Sequence, residues 1–110
     1  IGISSNPKKF DTNYFQSVAS LINIFYYDLN IYEKDDIKTF SIYDCLDQIN
    51  FLRKLNKPIY IGGGISHKNA KLVIDNAHPN GLDISRSLKD GNNDLCEEKL
   101  NKLIQSLSVD

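Results

Sequence analysis

The sequence has no basic run, no long apolar stretch, no paired cysteine motif and no low-complexity tract, and each absence removes a class of protein. Thirteen Lys and Arg are scattered among fourteen Asp and Glu, for a formal charge of -1. The clustered positive charge of a nucleic-acid surface is therefore missing, and no nucleic-acid partner is expected. No apolar run approaches the roughly 18–20 residues that span a bilayer. The N-terminus also lacks the basic-then-apolar pattern of a signal peptide, so a cytoplasmic location without membrane attachment is the expectation. Cys45 and Cys96 form no CxxC and have no histidine at ligand spacing; they read as reduced thiols packed in or near a core, not as a disulfide or redox pair. His67 and His78 fall at a helix start and in a turn with no third ligand within reach by sequence, so neither a metal nor another cofactor is expected.

The chain has 110 residues, 41% hydrophobic and 25% charged, the balance of an ordinary globular protein. That length is one domain's worth or part of a larger one, with a modest core. Ile1-Gly2-Ile3-Ser4 already reads as a strand, so the sequence is expected to begin within a fold. From there short apolar strands alternate with helices, a pattern that argues for parallel strands joined by crossovers. Residues 1–5 form the first strand. Beyond Asp11, Phe15, Val18, Ala19 and Ile22 mark one helical face. The second strand, Ile24-Phe25-Tyr26-Tyr27, ends at Asp28. Residues 29–43 read as a long polar loop, after which Asp44 is expected to cap a helix that turns Cys45, Leu46, Ile49 and Leu52 inward.

Pro58 opens a third strand, Ile59-Tyr60-Ile61, which runs into Gly62-Gly63-Gly64; Ser66 is expected to cap the next helix, with Ala70, Val73, Ile74 and Ala77 on one face. After the turn at residues 78–81 comes a fourth strand, Leu82-Asp83-Ile84. Asp94 and Glu97 have capping-box spacing ahead of Leu100, Leu103, Ile104 and Leu107. Four such units make either a small doubly wound sheet or half of a (β/α)8 barrel, and in both the active edge lies at the carboxyl ends of the strands.

Three glycines at a strand end, followed by a helix, present bare backbone N–H groups and a helix N-terminus, which together favour a phosphate monoester. The same run also serves as a plain strand-to-helix turn. It is neither the dinucleotide fingerprint, since the glycines are contiguous, nor a P-loop, since no Gly-Lys-Ser/Thr follows. Ser85, Arg86 and Ser87 leave the adjacent strand with two hydroxyls and a guanidinium, and the pair of loops could share one phosphate.

The segment Ile59-Tyr60-Ile61-Gly62-Gly63-Gly64-Ile65-Ser66 with Asn69 resembles the strand of phosphoribosylanthranilate isomerases that ends in Ala-Gly-Gly. Gly81-Leu82-Asp83-Ile84-Ser85-Arg86-Ser87, with Lys89-Asp90 and Lys99, is similar to that family's closing Gly-Val-Asp-Val-Ser-Ser-Gly and Lys-Asp segment. Lys38-Thr39-Phe40 resembles the segment after the family's glycine-rich loop, and Asp28 falls where its Leu-Leu-Asp strand ends. The likeness covers nearly the whole chain, as strands five to eight. It implies an α/β fold of four βα units with parallel strands, half of a (β/α)8 TIM-type barrel.

It further implies an Amadori rearrangement of a phosphorylated aminoaldose in tryptophan biosynthesis, with Asp28 as general acid and the phosphate held at Gly63, Gly64, Ser85, Arg86 and Ser87. A carboxyl acting as an acid near neutral pH would need burial to raise its pKa. The family's general base is a cysteine at the end of the first barrel strand, a strand that no segment here resembles, so neither Cys45 nor Cys96 takes that role. Lys34-Asp35-Asp36-Ile37 stands in place of the glycine-rich loop, and Ser87 where a glycine is usual. The implied partner is a phosphorylated small molecule, together with a complementary half-barrel or a second copy across the open strand edges. A different phosphate-binding barrel enzyme, or a non-catalytic assembly domain, remains open.

Overall fold

The computed structural model describes residues 1–84 and 86–107, with Arg86 described by its backbone. Strand β1 (Gly2–Ser5) leads to helix α1 (Thr12–Val18), which runs into a 3-10 turn at Ala19–Leu21; β2 (Ile24–Asp28) follows. A hairpin of β3 (Asn30–Glu33) and β4 (Asp36–Thr39) precedes α2 (Ile42–Lys54) and β5 (Ile59–Gly62). Then come α3 (Ala70–Ala77), β6 (Gly81–Asp83), a 3-10 turn at Arg86–Leu88, and α4 (Glu97–Leu107).

The main sheet has the order β1-β2-β5-β6 with every pair parallel. Strands in sequential order are the decisive feature. Right-handed crossovers that always advance one way place every helix on the same face of the sheet, whereas a doubly wound sheet reverses direction and is covered on both. The four βα units therefore form half of a TIM-type barrel, as the family resemblance implies, and not the doubly wound sheet that the strand and helix pattern also allowed. On the helix-covered face Phe25, Tyr27, Ile59 and Ile61 are buried against Ile42, Cys45, Ile49 and Leu52 of α2 and Ala70, Val73 and Ala77 of α3. Because strand side chains alternate, Ser4, Tyr26, Asp28, Tyr60 and Asp83 take the other face. There Tyr26 and Tyr60 stay 40% and 37% exposed, their rings meeting edge to face at 6.1 Å.

Caps and connections differ from the sequence reading in four places. Residues 29–43 are not a loop: Asn30 to Glu33 pair antiparallel with Thr39 to Asp36 around a two-residue turn, with Lys34 at φ 47°. Helix α2 is capped by Ser41, whose side chain accepts from the Tyr43 N–H, and Asp44 sits instead in the first turn. Helix α3 starts at Ala70; Ser66 opens the preceding turn, with its N–H bonded to Asn69 Oδ1 at 2.8 Å. Asp94 forms no box with Glu97 but closes a turn on Asp90, giving its N–H to Oδ1 and accepting the Asp90 N–H. In the last three a nearby polar side chain takes a backbone N–H, a competition that residue type alone does not decide.

Candidate functional site

At the carboxyl edge of the sheet, Asp28 pairs in register with Gly62, and Gly62 with Asp83. Two carboxylates thus stand at one level on strands two apart, roughly 10 Å between backbones, with no side chain between them. Gly62 is tightly held: a Cβ there would lie 3.0 Å from the Asp83 carbonyl oxygen. The chain then turns through Gly63 at φ 86° and Gly64 at φ 69°, left-handed conformations that favour glycine. A Cβ on Gly63 would strike the Asp28 carboxylate and come within 2.8 Å of the Leu29 and Asn30 backbone nitrogens.

The backbone of the next two residues positions the Asp28 side chain. Its Oδ1 accepts the Asn30 N–H at 2.8 Å, while the Leu29 N–H extends the ladder to the Gly62 carbonyl at 2.9 Å. Asn30 is buried, and its Oδ1 accepts the Thr39 hydroxyl at the foot of the hairpin. Gly64 packs against that foot, where a Cβ would come within 2.7 Å of Thr39 Cγ2. Beyond it the Asn69 side-chain amide donates to the Gly64 carbonyl at 3.0 Å, fixing the loop ahead of α3. From the neighbouring loop the Ser87 hydroxyl donates to the Ile65 carbonyl at 2.6 Å. The loops after β5 and β6 are therefore tied to each other.

Asp28, Gly63, Gly64, Asp83 and Ser87 line one cleft of about 430 Å³, joined by Asn30 and Tyr32 from the hairpin. Asp28, Gly63 and Asp83 also border a second cleft of about 350 Å³, which runs down the uncovered face of the sheet past Tyr26 and Tyr60. Of the sequence-predicted residues, Asp28, Gly63, Gly64 and Ser87 are brought to one cleft; Ser85 lies outside the described residues, as does the Arg86 side chain. Ser87 sits in the 3-10 turn and needs no positive φ. The sequence does not single out Asp83, Asn30 or Tyr32. Period-two register from Gly81 would find Asp83, but nothing in residues 29–43 announces the hairpin that carries the other two.

Cys45 lies away from this edge, fully buried on the helix side. Burial raises its thiol pKa, and desolvation together with the neighbouring Cys45 raises that of Tyr27. The Tyr27 hydroxyl donates to Gln48 Oε1, and Gln48 passes a hydrogen bond to the Pro7 carbonyl at 3.2 Å, so this polar thread anchors the loop after β1. Both cysteines are free. Among the described residues no cluster of three His, Cys, Asp or Glu is placed to hold a metal, and no helix is long and apolar enough to cross a membrane.

Fold and cleft together define a class: an α/β half-barrel with a carboxylate and glycine-lined cleft at the carboxyl ends of its strands. Among solved structures it is similar to N-(5'-phosphoribosyl)anthranilate isomerase from Pyrococcus furiosus, with a TM-score of 0.62 at 14% identity, over 96% of this chain and 49% of that one. A monomeric form of the dimeric phosphoribosylanthranilate isomerase of Thermotoga maritima aligns at a TM-score of 0.43 and 12% identity, over 96% and 70%. No protein-family model and no curated protein matches the sequence. The likeness establishes the fold, and the chain spans about half the length of the Pyrococcus structure.

Proposed function

We propose that this chain is the C-terminal half of a phosphoribosylanthranilate isomerase-like enzyme, which converts a phosphorylated N-aryl aminoaldose to the corresponding aminoketose. The observation that carries the reading is the meeting of the Asp28 carboxylate with the Gly63-Gly64 turn at one cleft. In the proposed reaction Asp28 is the general acid that protonates the ring oxygen and opens the furanose. A base then moves a proton between the first two sugar carbons. The Asn30 N–H fixes one oxygen of Asp28, so the carboxyl is aimed before substrate arrives. The substrate phosphate is assigned to the backbone N–H groups at Gly63 and Gly64 and around Ser85, Arg86 and Ser87.

In this reading a complementary half-barrel supplies the base, since Cys45 is sealed beneath α2 on the far face of the sheet. Closure across the edges of β1 and β6 would also cover Tyr26 and Tyr60. A non-catalytic assembly domain is the second reading, favoured by the exposure of Tyr26 and Tyr60 on the face of the sheet opposite the packed helices.

Calorimetric titration of the purified chain with ribose 5-phosphate separates the two. Saturable binding that Gly63→Ala and Ser85→Ala each weaken by about tenfold or more, the equivalent of one lost charge-assisted hydrogen bond, supports the phosphate site. Absence of binding by a chain with native circular dichroism favours the assembly domain.

A further inference from the structure

The turn after β5 commits most of its hydrogen-bonding groups within the chain itself. The Ser66 N–H donates to Asn69 Oδ1 at 2.8 Å, and the Lys68 N–H donates to Ser66 Oγ at 3.2 Å. The Asn69 and Ala70 N–H groups both go to the Ser66 carbonyl, at 3.2 and 2.9 Å. The start of α3 is therefore capped from within, and these donors are not offered to an anion. Two carbonyls are held as well. Asn69 Nδ2 donates to the Gly64 carbonyl at 3.0 Å, and the Ser87 hydroxyl donates to the Ile65 carbonyl at 2.6 Å.

A trans peptide unit points its C=O and its N–H in opposite directions, so holding a carbonyl also aims the N–H that follows it. Asn69 draws the Gly64 carbonyl toward α3 and thereby turns the Ile65 N–H away from that helix. Ser87 draws the Ile65 carbonyl toward the loop after β6, and the Ser66 N–H of the same unit falls to Asn69. A serine hydroxyl has a single proton. With that proton directed at Ile65, the Ser87 side chain has only lone pairs left for the cleft, and a phosphate oxygen, itself an acceptor, gains nothing from them.

We infer that Asn69 and Ser87 are positioning residues for the anion. Neither side chain binds it; together they keep the Gly64 and Ile65 carbonyls occupied, and on this side of the cleft they leave the N–H groups of Gly63, Gly64 and Ile65 to hold it. Gly63, Gly64, Ile65 and Ser87 all line the cleft, so a carbonyl released there would face a group made wholly of acceptors. Ser87 thus acts through the Ile65 peptide and not as a phosphate donor. This rests on the assignment of the Gly63-Gly64 turn as the phosphate cradle.

The test is a titration of the full chain with ribose 5-phosphate, read by calorimetry and by the amide resonances of the isotope-labelled protein. In the wild type the Gly64 and Ile65 amide protons should move downfield on binding while those of Ser66 and Ala70 hold their places. Ser87→Ala and Asn69→Ala should each weaken binding by about tenfold, the equivalent of one hydrogen bond. Ser87→Thr, which keeps the hydroxyl, should bind as the wild type does. Because the Ser87 latch exists without ligand, Ser87→Ala should also shift the Ser66 amide resonance of the free chain, whose peptide unit loses its carbonyl partner. Wild-type affinity in either alanine variant, an unshifted Ser66 resonance in Ser87→Ala, or a wild-type Ser66 amide that moves with the ligand as far as that of Ile65 overturns the inference and leaves the phosphate cradle standing. Failure of the folded wild type to bind at all overturns the cradle, and the inference falls with it.

Discussion

Tyr27 and Cys45 illustrate how position on the sheet decides the chemistry of a side chain. Tyr26 and Tyr27 are neighbours of one residue type, yet alternation puts one ring on the open face and the other in the core. Burial raises the Tyr27 hydroxyl and the Cys45 thiol above their ordinary pKa values. Each proton is therefore held more tightly in the folded than in the unfolded chain. Below the ordinary thiol value, about 8.5, both groups are protonated in either state and stability does not depend on them. Above it the unfolded chain gains by releasing protons, and stability falls as pH rises. The urea midpoint should accordingly hold level from pH 6 to 8 and decline from about pH 9 upward. Tyr27→Phe should cost about 1 kcal/mol at neutral pH through loss of the hydrogen bond to Gln48, and should flatten the most alkaline part of the decline. Repeating the urea titrations across pH for both proteins checks both statements.

Among the elements, helix α3 shows a fold holding a residue against its preference. It ends on His78 in the left-handed conformation, φ 47°, whose N–H bonds the Ile74 carbonyl at 3.0 Å. Glycine is the usual solution at such a position. Arg53, near the end of α2, compensates by donating to the Ala77 and His78 carbonyls, capping the C-terminus of α3 with a cation. His78→Gly should therefore raise stability by about 1 kcal/mol, read as a higher urea midpoint with an unchanged slope. The hairpin makes the contrasting case. Its strands carry only Ile31, Tyr32 and Ile37 as apolar residues, too few for a period of two to stand out, and its turn has no Asn-Gly or Asp-Gly signal. Register against Gly64 and the Asn30 to Thr39 hydrogen bond hold it in place, contacts that join residues well separated along the chain.

For the whole molecule the governing feature is a parallel sheet packed on one face only. Parallel sheets are ordinarily covered on both sides, and β1 and β6 leave two edges unpaired within the main sheet. On the proposed reading this surface closes on a second copy or a complementary half. Sedimentation of the purified chain should then show mass rising above that of one chain with concentration, and Tyr60→Lys, which places a charge on the open face, should return it to a single chain at all concentrations. The sequence by itself determined the four strand and helix units, their apolar faces, and the glycine turn after the third predicted strand, because periodicity and backbone conformation are local properties. Through its family resemblance it also put Asp28, Gly63, Gly64, Ser85, Arg86 and Ser87 forward as one site, of which Ser85 and the Arg86 side chain lie outside the described residues. Only the tertiary structure decided that the strands run in sequential order, that Asp83 stands level with Asp28 across Gly62, and that a hairpin bearing Tyr32 covers the cleft. Those are facts of register and packing between distant segments, and a side chain's type does not encode which distant backbone it will meet.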